Sequence, residues 1–336
     1  MISCHTFELT MEVSSDTFHQ WRDEVKNTKN YDKESDKDFV HVKNGITVWY
    51  HQTKFKKKIK LIVNPSRILG ADDLISLWKP KKKNIVELLN SLEEFITEYF
   101  NSEYDLNDFR LTRIDFTKNI RLENSNEVSA YIKTLYSIKK VKGFSPKYSR
   151  GDEWYDKDLS FDLEGNSNGI EFTAYDKHAA IEERMKNQEY KKKEIANFLE
   201  HAKGILRLEV KLTSQKAIHG YTKEKDTVRR LIDLLENCEH IFMNTFLRVV
   251  PFGDFYKKDQ AVSIIEGNVW DKKLKKKMLR LLELIPIKKS LHLAQKEMND
   301  RRIERVFKEF HKLNLSPVTI SKRQDTKHLK SLHAFF

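Results

Sequence analysis

Residues 205–212 read ILRLEVKL, a run of apolar side chains interrupted by Arg207 and Glu209. Their spacing of two residues places the arginine and the glutamate on the same face of a β-strand. Gly204 stands directly before the run and favours a turn at its start. A charged pair in an apolar strand is costly unless it is paired or binds a ligand. This segment therefore predicts a buried strand that also carries chemistry.

Two earlier segments have the same character. The strand signal LTRIDF (111–116) places Arg113 and Asp115 on one face, and YDK (175–177) ends another strand signal. One interpretation is that the arginines and carboxylates form structural pairs that lock neighbouring strands. The other is a Mg²⁺ or Mn²⁺ site built from Asp115 and Glu209, because hard cations take oxygen ligands and keep several waters.

The wider pattern predicts an α+β fold. Strand and helix signals interleave with hairpins up to residue 215, which indicates a mainly antiparallel sheet with helices packed on one face over residues 1–220. Beyond residue 222 the apolar spacing becomes helical, so residues 221–336 are predicted to be all-helical. The shift in composition near residue 220 predicts a domain boundary there.

The individual elements follow from the same periodicities. The predicted strands are 6–13, 45–51, 58–63, 111–116, 159–163, 170–174 and 205–212, and residues 27–38 are a predicted polar loop. The predicted helices are one ending near residue 26, then 84–100, 125–139, 178–201, 224–249, 259–267, 271–284, 289–312 and 317–322.

Charge gives the first indication of function. The 336-residue chain has 62 Lys and Arg against 50 Asp and Glu, a net charge of +12. Such a surplus favours a polyanionic partner, since binding releases the counterions condensed on phosphates. The alternative is a solvated, lysine-rich surface.

The chain carries no signature of a membrane or secreted protein. Cys4 and Cys238 form no CxxC pair, so neither a disulfide framework nor a zinc site is indicated, and a reducing cytoplasm is expected. No apolar run approaches the ~18 residues that span a bilayer. The first 16 residues alternate as in a strand, unlike a signal peptide.

Taken in order, four segments resemble the rolling-circle replication initiators of the filamentous-phage gene II/X type. They are also similar to the replication-initiation factors of small Gram-positive plasmids. The four segments are KIKLIVNPSRILG (58–70), RLTRIDF (110–116), FTAYDKHAAIEE (172–183) and FLEHAKGILRLEVKL (198–212). The ordered set is far more specific than any one member, and the resemblance covers about residues 55–220.

The resemblance implies a catalytic nicking domain over residues 1–220. The family tyrosine that joins covalently to the 5′ end of the nicked strand falls on Tyr175, and the Y-x-K lysine falls on Lys177. The two motif acids, which imply a Mg²⁺ or Mn²⁺ site, fall on Asp115 and Glu209. A metal would polarise the scissile phosphate, and a nearby cation such as Lys177 would help the tyrosine to ionise.

The chain departs from the family pattern at two places. Relatives often carry a glutamate on the strand before the proline, where this chain has Lys60, Leu61 and Ile62. Plasmid relatives can carry a second aspartate where this chain has Asn119. Glu171 or Asp176 are candidates to complete the metal site. No two histidines are spaced i, i+2, which argues against the His-hydrophobic-His site of the more widespread nickases.

Basic clusters predict the contacts with DNA. Lysines give salt-dependent affinity for phosphates without sequence readout, and the alternative for each cluster is a solubilising face. The residues predicted to bind DNA are Lys56, Lys57, Lys58, Lys81, Lys82, Lys83, Arg113 and Arg207. Near the C-terminus, RRIERVFKEFHKLNLSPVTISKRQ (301–324) resembles a helix-turn-helix; the alternative is a pair of packed helices.

These features predict a metal-dependent, site-specific nickase that starts rolling-circle replication of a phage or plasmid. A conjugative relaxase or mobilisation protein shares the nicking step and differs only in its target DNA. A non-catalytic DNA-binding replication protein would show a steep salt dependence without a covalent product. Besides supercoiled or single-stranded origin DNA, a second copy of the chain and a host helicase are candidate partners.

Overall fold

The computed structural model describes residues 1–26, 31–32, 38–43, 45–71, 75–100, 103–147, 159–186 and 198–336. The chain forms two compact units. Unit 1 consists of Met1–Thr117, Asn168–Ile170 and Lys211–Phe242, and unit 2 consists of Lys118–Ser167, Glu171–Val210 and Met243–Phe336. These units do not follow the predicted boundary near residue 220, and the predicted functional domains 1–220 and 221–336 stay predictions.

The strands in the described ranges are between 2 and 12 residues long. They are β1 (Ser3–Val13), β2 (Tyr31–Asp32), β3 (Asp38–Lys43), β4 (Ile46–Gln52), β5 (Lys57–Val63), β6 (Arg110–Arg121), β7 (Phe144–Pro146), β8 (Ser160–Gly165), β9 (Ile170–Asp176), β10 (Ile205–Leu212), β11 (Phe255–Tyr256) and β12 (His328–Leu329). In unit 1 the hydrogen-bonded order is β2-β3-β4-β5-β1-β6, and in unit 2 it is β10-β9-β8-β7.

The helices are mostly amphipathic. They are α1 (Ser15–Lys26), α2 (Pro65–Ile68), α3 (Lys82–Tyr99), α4 (Ser125–Tyr136), α5 (Lys177–Lys186), α6 (Gln215–Tyr221), α7 (Thr227–Glu236), α8 (Cys238–Val249), α9 (Lys258–Asn268), α10 (Lys272–Lys288), α11 (Leu291–Met298) and α12 (Ile303–Lys312). A single 3-10 turn, Leu106–Asp108, precedes β6. No helix in the described ranges is long and apolar enough to cross a membrane.

Strand β1 is central to the sheet of unit 1. It pairs antiparallel with β5 on one side and with β6 on the other, and Phe7 lies opposite both Val63 and Ile114. Phe7, Leu9 and Met11 are all buried, as expected for alternate residues of a strand with one face on the core. The polar side chains between them are therefore brought beside Arg113 and its neighbours on β6.

The predicted fold class is confirmed: an antiparallel sheet with helices is followed by a helical C-terminal region. Strand β10 coincides with the predicted 205–212. The helix predicted over 224–249 is two helices, because the Asn237 side chain binds the Asp233 carbonyl and ends α7. The helix predicted over 289–312 is also two, separated at Asn299, whose φ of 43° is left-handed.

Both cysteines are buried and neither forms a disulfide. The prediction of a polar loop over 27–38 falls largely on residues outside the described ranges, although β2 lies within it. The predicted helix 178–201 begins as α5 and is helical again at 198–202. The part of it between residues 187 and 197 also lies outside the described ranges.

The predicted helix-turn-helix near the C-terminus is wrong. Its first helix is α12, but residues 317–322 are not helical. The chain after Asn314 instead runs beside residues 254–257, where Ser316 N–H donates to the Asp254 carbonyl and Ile320 N–H donates to the Tyr256 carbonyl. These bonds satisfy the backbone without a helix, so no recognition helix follows α12.

Gly253 permits this close approach. Its φ is +98°, and a Cβ atom built on it would lie 2.4 Å from the Leu315 carbonyl carbon. We expect Gly253→Ala to lower the free energy of unfolding by about 1–3 kcal/mol, measured by chemical denaturation. Gly267→Ala in helix α9 is the matched control, because its Cβ would meet nothing within 4 Å. The control should be neutral or stabilising by up to ~1 kcal/mol; equal effects would contradict this explanation.

Candidate active site

A tyrosine–carboxylate pair lies in unit 2, between two strands that are far apart in sequence. The hydroxyl of Tyr175 on β9 donates to Oε1 of Glu209 on β10 at 2.7 Å. This distance lies in the range in which a general base reaches the proton it removes. The pair therefore has the arrangement of an oxygen nucleophile with its base.

The strands explain why this pair forms. Nearly all of β10 is buried, and Glu209 is only 4% exposed. A carboxylate at such a position needs hydrogen-bond donors, because it has lost most of its water. Tyr175 lies one residue before the end of β9 and keeps part of its surface exposed. The phenol thus satisfies the buried acid while remaining accessible to a substrate.

After Tyr175 the chain passes from strand β9, which ends at Asp176, into helix α5, which begins at Lys177. The Asp176 side chain accepts the backbone N–H groups of His178 at 2.9 Å and Ala179 at 3.4 Å, which makes it the N-cap of the helix. Burial raises the pKa of the Asp176 carboxyl, against the lowering effect of these two bonds. Its use as a cap makes Asp176 a poor candidate for the metal ligand that the sequence allowed.

Lys177, the lysine of the Y-x-K motif, is 2% exposed. It is the first residue of α5, directly after the N-cap. Its predicted role beside Tyr175 stays a prediction. His178 forms an i, i+4 pair with Glu182 at 3.7 Å, as expected of a residue in the first turn of the helix.

Arg207 and Asn119 form a second buried contact in unit 2. Arg207 is fully buried, and its Nε donates to Oδ1 of Asn119 on β6 at 2.8 Å. Asn119 stands where some plasmid relatives carry an aspartate, and it accepts a bond from a buried arginine instead. Since Arg207 has no exposed surface, its position favours a structural role over the predicted contact with DNA.

Asp115 belongs to unit 1, where an arginine already neutralises it. Arg113 donates to both carboxylate oxygens, with Nε at 2.8 Å from Oδ1 and Nη2 at 2.7 Å from Oδ2, and Thr6 donates to Oδ2 at 3.0 Å. Asp115 is 2% exposed. A two-bond arginine fork is the strongest common pairing of a carboxylate. This geometry matches the structural Arg–carboxylate pair that the spacing allowed.

The network in unit 1 includes an acid that sequence reasoning missed. Glu8 on β1 pairs with Arg113 at 3.3 Å and with Lys60 on β5 at 3.0 Å. Lys60 lies in the part of β5 where relatives often carry a glutamate. In this chain the carboxylate beside Lys60 is that of Glu8, which comes from the neighbouring strand β1. The alternation in TFELTMEV (6–13) indicated which face Glu8 occupies. Only the β1–β6 register shows that it lies opposite Arg113.

The predicted metal ligands Asp115 and Glu209 lie in different units, and their joint site stays a prediction. Carboxylate oxygens suit Mg²⁺ or Mn²⁺, and the donor chemistry fits in that respect. Asp115, however, would have to exchange part of its arginine fork for a cation. Within the described residues, no group of three His, Cys, Asp or Glu side chains could hold a metal. Glu171, the other candidate, pairs with Lys147 at 2.8 Å.

The basic clusters differ in how far they are neutralised. Lys56 and Lys58 both pair with Glu12, at 2.9 and 3.5 Å, and the ammonium of Lys57 lies 5.4 Å from the centre of the Phe18 ring. A second cluster, Lys81, Lys82 and Lys83, begins α3, whose first turn contains no acid. Positive charge at a helix N-terminus is unfavourable, so this cluster would gain most from a phosphate.

Comparison with known proteins agrees with the motif order. The chain matches the family model for the N-terminal part of the gene II replication-associated protein over residues 3–226, about two thirds of its length. No curated protein matches it significantly. The matched range contains Tyr175, Glu209, Arg113 and Asp115. The chain therefore belongs to this family of replication-associated proteins, and its match is that of a gene II-type replication initiator of filamentous phages.

Proposed function

We propose that this phage replication initiator nicks origin DNA by tyrosine transesterification. The Tyr175 hydroxyl oxygen attacks the scissile phosphorus, and the bond between phosphorus and the 3′ oxygen breaks. The products are a 5′-phosphotyrosine and a free 3′-OH, which primes rolling-circle synthesis. The bond energy is kept in the phosphotyrosine, so the strand can later be rejoined without another energy source.

The observation that carries this proposal is the 2.7 Å hydrogen bond from Tyr175 to Glu209. A phenol ionises only near pH 10 in water, so attack at neutral pH needs a base to take its proton. Glu209 is held in place by the buried strand β10, and its oxygen already accepts that proton in a hydrogen bond. We assign Glu209 as the general base, with the 3′ oxygen taking its proton from water.

A Mg²⁺ or Mn²⁺ ion is part of the proposal. Asp115 and Glu209 are the residues proposed to hold it, and when bound it would polarise the scissile phosphate and screen its charge. The exposed lysines supply the remaining affinity. Their contacts with phosphates position the strand without reading its sequence, and Lys81, Lys82 and Lys83 are the cluster we favour.

The first test is the nucleophile. We expect Tyr175→Phe to abolish the covalent protein–DNA product and the relaxation of supercoiled origin DNA while DNA binding is unchanged, because only the hydroxyl is lost. Gel analysis of the adduct and peptide mapping of the labelled residue measure this. Tyr256→Phe in unit 2 is the control and should form the adduct normally. An adduct on another tyrosine would overturn the assignment.

The second test is the base. Glu209→Gln keeps the shape of the side chain but cannot take up the proton, so the nicking rate should fall on the order of 10²–10⁴-fold at saturating DNA. Single-turnover nicking measures the chemical step. Glu164→Gln, which changes an exposed glutamate on β8, is the matched control and should keep most of the rate. Equal rates for the two variants would show that Glu209 is not the base.

The third test is the metal. Chelation with EDTA should abolish nicking, and added Mg²⁺ or Mn²⁺ should restore it. If Asp115 is a ligand, Asp115→Asn should need a higher Mn²⁺ concentration for half-maximal nicking, since it loses a charged oxygen donor. Asp162→Asn on β8 is the control and should not shift the Mn²⁺ requirement. Full nicking in EDTA would refute the metal requirement.

A further inference from the structure

A polar pocket of about 310 Å³ lies in unit 1, among residues to which the nicking proposal gives no role. The 3-10 turn Leu106–Asp108, the start of β6, helix α6 and the start of α7 form its walls. Its lining includes Arg110, Gln215, His219, Lys225 and Arg230, and we call it the Arg230 pocket. A volume of this size admits a ligand as large as a small phosphate ester.

Arg230 is the buried charge of the pocket. It is 6% exposed, and its Nε and Nη2 donate to the carbonyls of Glu224 and Lys225 at 2.8–3.1 Å. These bonds hold the guanidinium rigidly but do not neutralise it. In the described part of the chain no carboxylate forms an ion pair with Arg230, and its Nη1 forms no hydrogen bond. A buried cation of this kind is costly until an anion reaches it.

Two other basic side chains of the pocket add to its positive charge. Arg110 and Lys225 line it, and neither forms an ion pair within the described residues. Burial and the nearby Arg110 guanidinium both lower the pKa of Arg230, and the Asp226 carboxylate offsets only part of this effect.

Nearby acids and hydrogen-bonding side chains are already committed to the backbone. The lining Asp108 accepts the Asp105 N–H at 2.8 Å, and Asp226 accepts the Arg229 N–H at 2.8 Å. The Asn107 side chain accepts the Thr227 N–H at 3.1 Å, which fixes the start of α7 beside the pocket. Exposed His219 adds ring nitrogens that can form hydrogen bonds in the pocket.

The side-chain oxygen of Gln215 indicates that the ligand also carries a hydrogen-bond donor. The Gln215 amide nitrogen donates to the Leu111 carbonyl, and its oxygen Oε1 is buried without a hydrogen-bond partner. A phosphate dianion has no hydrogen to offer this acceptor. A nucleotide has phosphate oxygens for the arginines together with amino or hydroxyl hydrogens for Gln215.

We propose that the Arg230 pocket binds a phosphate group of a nucleotide unit, separately from the Tyr175–Glu209 pair. Arg230 and Arg110 contact the phosphate oxygens, Lys225 adds charge, and Gln215 accepts a hydrogen from the sugar or base. The phosphate belongs either to a DNA strand, which the pocket would hold at a second point, or to a free nucleotide. The proposal concerns binding alone and does not depend on strand cleavage.

The test uses the full chain and two matched double variants. Arg110→Ala/Lys225→Ala removes two exposed cations of the pocket. Arg229→Ala/Lys223→Ala removes two exposed cations next to them in sequence that do not line it. Binding of a labelled single-stranded oligonucleotide is measured by fluorescence anisotropy at several salt concentrations. Binding of a deoxynucleoside triphosphate is measured by calorimetry.

We expect the pocket double variant to bind its ligand about tenfold more weakly than the control double variant. If the ligand is a DNA strand, only oligonucleotide binding falls, and its salt slope drops by ~1. If it is a free nucleotide, the triphosphate binds the wild type and not the pocket variant. Equal binding by both double variants in both assays would overturn the proposal.

A conservative variant distinguishes a loss of ligand binding from a loss of folding, and adduct formation distinguishes it from a loss of nicking. Arg230→Lys keeps the charge but loses the planar fork, so the ligand affinity should fall while the thermal unfolding temperature shows whether the fold persists. Adduct formation by Tyr175 at saturating DNA should continue in the Arg110→Ala/Lys225→Ala variant. Loss of adduct with intact binding would contradict the separation of the pocket from the Tyr175–Glu209 pair, and loss of binding with intact adduct would support the pocket.

Discussion

The burial of the Glu209 carboxylate in strand β10 is the constraint from which the chemistry of this protein follows. An ionised acid in an apolar strand is costly unless donors replace the water that it has lost. The donor here is the hydroxyl of Tyr175, which reaches it from β9 at 2.7 Å. The same hydrogen bond that contributes to satisfying the acid also orients the phenol. In the proposed mechanism it additionally gives the proton of the phenol a destination.

Asp115 is buried to a similar degree but is satisfied in a different way. Its two oxygens bind the Arg113 fork, and Glu8 and Lys60 extend the network across three strands. A carboxylate that accepts both bonds of an arginine fork forms an electrically neutral pair. The two motif acids therefore differ in their partners: Glu209 accepts a bond from a phenol, while Asp115 accepts bonds from an arginine.

The basic side chains of the protein differ in how far neighbouring acids neutralise them. Lys56 and Lys58 are paired with Glu12, so part of the predicted basic cluster is already neutralised. Arg230, in contrast, is buried, and among the residues that the structure describes its hydrogen-bond partners are backbone carbonyls. Net charge indicates a polyanionic partner, but the unpaired cations indicate where such a partner would gain most. Exposed and paired lysines contribute little beyond general attraction, since water and salt screen them.

Local pattern predicted the longer strands except β3 but missed the short ones, and the family motifs indicated the candidate nucleophile. Alternation in ILRLEVKL defined β10 to the residue, and the order of the motifs singled out Tyr175 among 12 tyrosines. The choice of partners was decided only in the tertiary structure. Spacing within a strand paired Arg113 with Asp115 correctly, as their two hydrogen bonds show. Across the sheet, Glu209 also binds Tyr175, 34 residues away, and Arg207 binds Asn119, 88 residues away.

The C-terminal region also shows that local pattern does not identify contacts between residues that are distant in sequence. Helical periodicity in residues 301–324 indicated two helices, yet the second is absent because residues 314–320 bond to the backbone at 254–257. Periodicity reports which face of a segment is apolar, and it is a local property. Strand register, helix breaks and the hydrogen bonds of buried polar groups depend on residues that are distant in sequence. The sequence by itself therefore determined most of the long helices and strands and the candidate nucleophile, and only the packed sheet decided which acid lies against that nucleophile.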